Sequence, residues 1–318
     1  MRIINAEDTR RHLSFQDLIP ALRDMFKSEC VVPLRHVHTV GEGQAEVGTV
    51  LIMPAWQVGR RFGIKSVSIF PGNTKLGKPG LHSVYTLLDA ATGIPLALID
   101  GNEITSRRTA AASALAAQFL SRPDAQRLLV VGTGRVASLL PDAFRAVRPI
   151  SQIRIWNINA EKAVQMARRL NENGYHAEAI SDLRAGAQWA DIISCATLSR
   201  QPLIKGEWLQ PGTHLDLIGS FSPAMRESDE DCFRRSTVFV DTSEASMKAG
   251  DILEALKAGA FDKSKVAADL AQLCRNEHGG RSHSEEITLF KAVGTALEDL
   301  AAASLVYDQT SNDGALLQ

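Results

Sequence analysis

Apolar residues recur at helical spacing through Phe15, Leu18, Ile19, Leu22, Met25 and Phe26, which predicts a helix over residues 14 to 29 with Ser14 as its N-cap. Runs at 31–40, 49–55, 63–69 and 83–89, separated by Gly and Pro turns, read as strands. The stretch from Thr105 to Leu120 is rich in Ala and Ser. It predicts a helix with a small face that another backbone can approach, bridging two domains. From about Ser121 the texture changes: strands at 127–131, 153–157 and 175–180 alternate with helices at 135–147 and 160–173. Further apolar strands follow at 191–195, 213–218 and 237–241. Unbroken apolar runs of this kind suit a parallel sheet buried on both faces, so this half reads as doubly wound α/β. A last amphipathic helix is expected from Leu289 to about Tyr307, returning to the first domain, with a frayed tail over Asp308–Gln318.

The 318 residues suit two domains of ~150 residues each. With 45% hydrophobic and 22% charged residues, disordered and coiled-coil classes are poor fits. Lys plus Arg number 35 against 36 Asp plus Glu, a balance that argues against a nucleic-acid partner and for a small ligand. Cys30, Cys195, Cys232 and Cys274 form no C-x-x-C pair, so neither a zinc cage nor a disulfide framework is expected and no metal site is assigned. No run of ~18 apolar residues and no basic-then-apolar N-terminus is present. A cytoplasmic, unprocessed protein without a membrane partner is the expectation.

The segment Leu128-Leu-Val-Val-Gly132-Thr-Gly134-Arg135-Val136-Ala137 places Gly-x-Gly-x-x-Ala between a buried strand and a helix. Such a turn admits a pyrophosphate against the helix N-terminus, which identifies residues 121–288 as a dinucleotide-binding, Rossmann-type domain beside an α+β domain of residues 1–120 and 289–318. A NAD site ordinarily ends its second strand in Asp or Glu. Here the strand ends in Asn157, and Asn159 and Lys162 follow as donors. The absence of a carboxylate favours NADP(H) over NAD(H), with NADH still open.

Three cations occupy unusual places. Arg35 interrupts the first strand, Lys65 sits inside the apolar strand Gly63-Ile-Lys-Ser-Val, and Arg108 lies in the first turn of the predicted helix. A cation there opposes the helix macrodipole, so an anion is a fitting partner; each residue alone is more often a snorkelling or salt-bridged structural cation. His82 follows a Gly-rich loop and is a candidate proton donor. His36 and His38 share a strand face without an indicated third ligand, so a satisfied surface or interface pair is preferred.

Val-Pro-Leu-Arg35, Met53-Pro-Ala, Gly63-Ile-Lys65, Asn73 through Gly80-Leu-His-Ser83, Ile104-Thr-Ser-Arg-Arg108, Gly132-Thr-Gly134, Ile155-Trp-Asn157 and Phe290-Lys-Ala-Val-Gly through Glu-Asp299-Leu together resemble the ornithine cyclodeaminase/mu-crystallin family. The resemblance implies a homodimer built through the first domain and the last helix. It also implies substrate binding by Arg35, Lys65 and Arg108, and cofactor contacts from Ser83, Gly134, Asn157 and Thr197; with Arg108, Gly132, Arg135, Val136, Asn159, Lys162 and Gly219 these make up the candidate cofactor set. The deaminase aspartate is replaced: Phe221 occupies its position in Gly219-Ser-Phe-Ser-Pro-Ala-Met-Arg-Glu227, and a phenyl ring exchanges no protons. That pattern looks like the bacterial Δ1-pyrroline-2-carboxylate reductases, with Phe221 as an apolar wall. The resemblance therefore implies NAD(P)H-dependent reduction of a small cyclic imino acid to proline or pipecolate, Lys65, Arg108 and His82 being the catalytic candidates and Lys65, His82 or water the proton donor. An alanine-dehydrogenase-like enzyme, a ketimine reductase, ornithine cyclodeaminase and a non-catalytic NADPH-dependent binder are the alternatives.

Overall fold

The computed structural model describes residues 1–41 and 47–315, and the chain divides into two compact units, Met1–Arg108 with Thr295–Gln318, and Thr109–Gly294.

The first unit begins with β1 (Arg2–Ile4), α1 (Ala6–Arg11) and α2 (Phe15–Lys27). Ser14 caps α2 by accepting from the Asp17 amide, and the six apolar residues at helical spacing are all buried. Then come β2 (His36–Val40), β3 (Gly48–Gln57), β4 (Arg61–Ile69), β5 (Leu81–Asp89), β6 (Pro95–Asp100) and α3 (Gly101–Leu120). The sheet runs β1-β6-β5-β4-β3-β2, antiparallel except for β1 on β6. Side chains alternate across it. Met53, Lys65 and Tyr85 stand side by side on the buried face through the pairings Met53–Lys65 and Lys65–Tyr85. Two expected elements shift. The first strand begins only at His36, because Pro33 has no amide to give a ladder, so Arg35 precedes the strand rather than interrupting it. α3 begins at Gly101, where the Asp100 carboxylate accepts from the Glu103 amide, which moves Arg108 beyond the first turn.

The second unit is an eight-stranded parallel sheet in the order β13-β12-β14-β11-β10-β7-β8-β9. Its left side is built from β7 (Arg127–Val131), a 3-10 turn at Ala137–Leu139 leading into α4 (Leu140–Arg145), β8 (Gln152–Trp156), α5 (Ala160–Glu172) and β9 (Ala177–Ala179). The chain then crosses through α6 (Leu183–Trp189) to β10 (Ile192–Cys195) and β11 (His214–Leu217) on the other side of β7. That reversal beside β7 is the topological switch point at which doubly wound sheets bind dinucleotides. The remainder comprises α7 (Glu230–Arg234), β12 (Thr237–Val240), α8 (Ala245–Lys248), α9 (Gly250–Lys257), β13 (Val266–Asp269), α10 (Leu270–Cys274) and β14 (Thr288–Lys291). β14 overturns the expectation that the last helix starts at Leu289: the segment is inserted between β11 and β12 with all four residues buried. A four-residue apolar run does not distinguish strand from helix by periodicity. The units also divide at Arg108 and Gly294 where the sequence pattern suggests 120 and 288. The later turns of α3 belong with the parallel sheet, since the Ser113 hydroxyl donates to Asp216 of β11 and Arg148 caps the carbonyls of Ala117 and Gln118.

The final helix, α11 (Ala296–Ala315), packs on α2 and on β3, β4 and β5 of the first unit. It extends through residues expected to fray, because Asp308 pairs with Arg61 at 3.0 Å and the Tyr307 ring carries Arg2 and Arg61 at 5.3 and 5.2 Å; residues 316–318 lie outside the described residues. Among the described residues no helix is long and apolar enough to cross a membrane.

Candidate active site

At the end of β7 the backbone of Gly132 takes φ 113°, and a Cβ there would stand 2.7 Å from the Ala196 carbonyl oxygen. Only glycine satisfies both demands. Gly134 is different: a Cβ on it would meet nothing within 4 Å. The gap beside Gly134 suits the close approach of a pyrophosphate, so the residues fit a dinucleotide. Arg135 is exposed and Val136 half-buried in the same turn. At the end of β8 the Asn157 amide donates to the Asn159 carbonyl at 3.1 Å, and Asn159 caps α5 by accepting from the Lys162 amide. Thr197, after β10, and Gly219, after β11, are both fastened to Glu227. Its Oε1 accepts from the Thr197 amide at 2.7 Å and hydroxyl at 2.8 Å, and its Oε2 accepts from the Gly219 amide at 2.7 Å.

In the first unit Lys65 and Arg108 meet on two acids in the first turn of α11. Asp299 spans both cations, 2.7 Å from Lys65 Nζ and 2.9 Å from Arg108 Nε, while Glu298 takes Arg108 Nη1 at 2.6 Å. All four side chains are buried. Burial pushes the Lys65 ammonium down to about 8, opposed by Asp299 and assisted by Arg108 and Arg35. Burial would raise Asp299 as well, but Lys65 and Arg108 outweigh it and hold the carboxylate ionised. The Tyr85 hydroxyl, raised by burial and by Asp299, has no hydrogen-bond partner among the described residues. Its ring fills the space above Gly63, whose Cβ would stand 2.0 Å from the hydroxyl oxygen.

The cation expected to face an anion at a helix N-terminus is thus held by two carboxylates almost two hundred residues away. Glu298, Asp299 and Tyr85 are the members that inspection of the sequence did not assign; their signal was a pair of acids set in the otherwise apolar stretch Ala-Leu-Glu-Asp-Leu-Ala-Ala. Arg35 is half-buried and near enough to act electrostatically on Lys65. Ser83 shares the buried face with Lys65, and its hydroxyl donates to Asn102 at 3.1 Å. His82 is exposed on the opposite face of β5. The period of two in a strand separates it from Lys65, so the structure does not bring those two proton-donor candidates together. His36 and His38 also lie on that opposite face. Phe221 sits after β11 with 44% of its surface exposed.

The ornithine cyclodeaminase/mu-crystallin family model matches residues 2–314. A Δ1-pyrroline-2-carboxylate reductase of Colwellia psychrerythraea is 38% identical over 318 residues, covering 98% of this chain and 100% of that protein. Among solved structures, the Δ1-pyrroline-2-carboxylate reductase of Thermococcus litoralis, in complex with NADH and L-proline, superposes with a TM-score of 0.92 at 32% identity, over 99% of this chain and 98% of the other. An archaeal alanine dehydrogenase dimer with bound NAD superposes with a TM-score of 0.91 at 27% identity, over 99% and 97%. The chain belongs to the ornithine cyclodeaminase/mu-crystallin family.

Proposed function

We propose that the protein reduces the C=N bond of a small cyclic imino acid, Δ1-pyrroline-2-carboxylate or its six-membered homologue, to proline or pipecolate with a reduced nicotinamide dinucleotide. The observation that carries this is the buried cluster in which Asp299 holds Lys65 Nζ and Arg108 Nε together, with the ammonium brought down to about 8. Arg108, held as a cation by its two acids in spite of burial, and Arg35 orient the carboxylate. The bound dinucleotide supplies the hydride to the imine carbon. Lys65 gives a proton to the nitrogen, so that the C=N pair becomes an N–H bond and Nζ is left neutral; an ammonium near 8 is suited to that transfer at neutral pH. The relatives that act on Δ1-pyrroline-2-carboxylate support the substrate class.

The finer cofactor choice in this reading is NADPH, because no carboxylate at the end of β8 repels a 2′-phosphate. Phe221 walls the substrate with an apolar surface, in place of a proton-exchanging group. The chain works as a homodimer through the open face of the β2–β6 sheet. A panel of both ring sizes, pyruvate with ammonia or methylamine, and ornithine, each read by NADPH and NADH absorbance, tests the assignment. Turnover of the cyclic imines is expected; turnover of the open-chain pair alone would replace it with an alanine-dehydrogenase-like activity.

A further inference from the structure

Glu227 closes the Met-Arg-Glu segment, and none of the roles assigned above uses it. Its carboxylate is fully buried, yet among the described residues it makes no ion pair: Lys291 of β14, which acts on it electrostatically, donates to the Leu217 carbonyl and stands 3.8 Å from Asp251. Instead it accepts three hydrogen bonds, two from Thr197 and one from Gly219. The two turns it joins follow β10 and β11, which are adjacent parallel strands. The fit is tight enough to fix residue types, since a Cβ on Gly219 would stand 2.0 Å from the Thr197 carbonyl oxygen and 2.4 Å from Glu227 Oε1. Glu227 is itself held in place, because Asp251 of α9 accepts from its amide and from the amide and hydroxyl of Ser228.

We infer that Glu227 is a positioning residue for the dinucleotide, whose ionised carboxylate draws the Thr197 and Gly219 turns into the shape that receives the cofactor. The inference rests on the proposed nicotinamide-dependent function and on Thr197 and Gly219 belonging to the candidate cofactor set. Three donors face the two oxygens, so an ionised carboxylate satisfies them all. Protonation sets a hydroxyl hydrogen among those donors; only the Thr197 hydroxyl can turn to accept it, and the charge-assisted bonds from the two amides weaken. The charged and titratable groups facing it are Lys291 on β14, Asp251 on α9 and Cys195 on β10. Burial, aided by Asp251 and opposed by Lys291, raises the carboxyl to about 7. The receiving shape is therefore coupled to pH in the neutral range.

The test is nucleotide affinity, measured without substrate by nicotinamide fluorescence for NADPH and NADH between pH 6 and 8.5. If only the ionised form receives the nucleotide, the apparent Kd of the wild type rises about tenfold from pH 8 to pH 6, as the competent fraction falls. Glu227→Gln, which keeps one acceptor but aims an NH2 at a donor, is expected to bind about tenfold more weakly at pH 8 and to lose the pH dependence. A folded Glu227→Gln protein with wild-type affinity and the wild-type pH profile would overturn the inference and leave the cofactor site intact. If that variant does not fold, the wild-type titration decides, and a flat Kd overturns the role. A wild type that binds neither nucleotide at any pH would overturn the cofactor site and this role together.

Discussion

In the proposed reaction Asp299 acts on the reacting group only through other residues. It supports Lys65 and Arg108 at once. Asp299→Asn removes the anion that opposes desolvation of the ammonium. The basic limb of the kcat profile for imine reduction is then expected to move at least one pH unit lower, with about a fivefold or greater loss of kcat at pH 8. Breaking a buried pair also costs on the order of 3–5 kcal/mol of stability, read as a fall in the denaturation midpoint. A basic limb that stays in place would detach Asp299 from Lys65. Asn157→Asp is expected to move nucleotide preference toward NADH by repelling a 2′-phosphate, and an unchanged ratio of the two affinities would place Asn157 away from that group. Lys65 and Arg108 were legible from the sequence because a cation in an apolar strand or a small-faced helix stands out. Asp299 was not, since its partners lie 234 and 191 positions away and an acid on an amphipathic helix reads as a solvated residue.

At the scale of elements, the turn after β7 was readable because strand, glycines and helix follow one another in the sequence. Its two glycines make opposite predictions. Gly132→Ala forces a side chain into positive φ and against the Ala196 carbonyl, so thermal unfolding should shift down by several degrees. Gly134→Ala meets no protein atom and should leave the melting temperature nearly unchanged while weakening nucleotide affinity about tenfold. Equal melting losses for both would argue that Gly134 is structural. β14 was hidden for a different reason. It is read from a run that continues as Ala-Val-Gly into α11, and only its pairing with β11 and β12 makes it a strand. α11 was legible as a helix, but its hold on the β3–β5 face and its persistence past Asp308 come from contacts with residues near the start of the chain.

Across the whole molecule, one sheet face is packed and the other is open. Val84 is 36% exposed on the face opposite Lys65, beside half-buried Ile64, and His36, His38, Val50 and Ile52 lie on that same face. In the proposed homodimer Val84→Arg should shift sedimentation from dimer toward monomer, and a wild-type chain that sediments as a monomer at micromolar concentration would refute that assembly. The division of labour between the units was visible as a change of texture near Ser121, although the packing of α3 moves the division to Arg108. In the proposed reaction electrons pass from a nicotinamide ring to the imine carbon of a cyclic imino acid. Its most direct test supplies Δ1-pyrroline-2-carboxylate with reduced nucleotide carrying deuterium at the transferable position of the ring, and follows the product by mass spectrometry. Proline heavier by one deuterium, located at the α-carbon, is the predicted result; proline without the label, or oxidation of the nucleotide without proline, would contradict it.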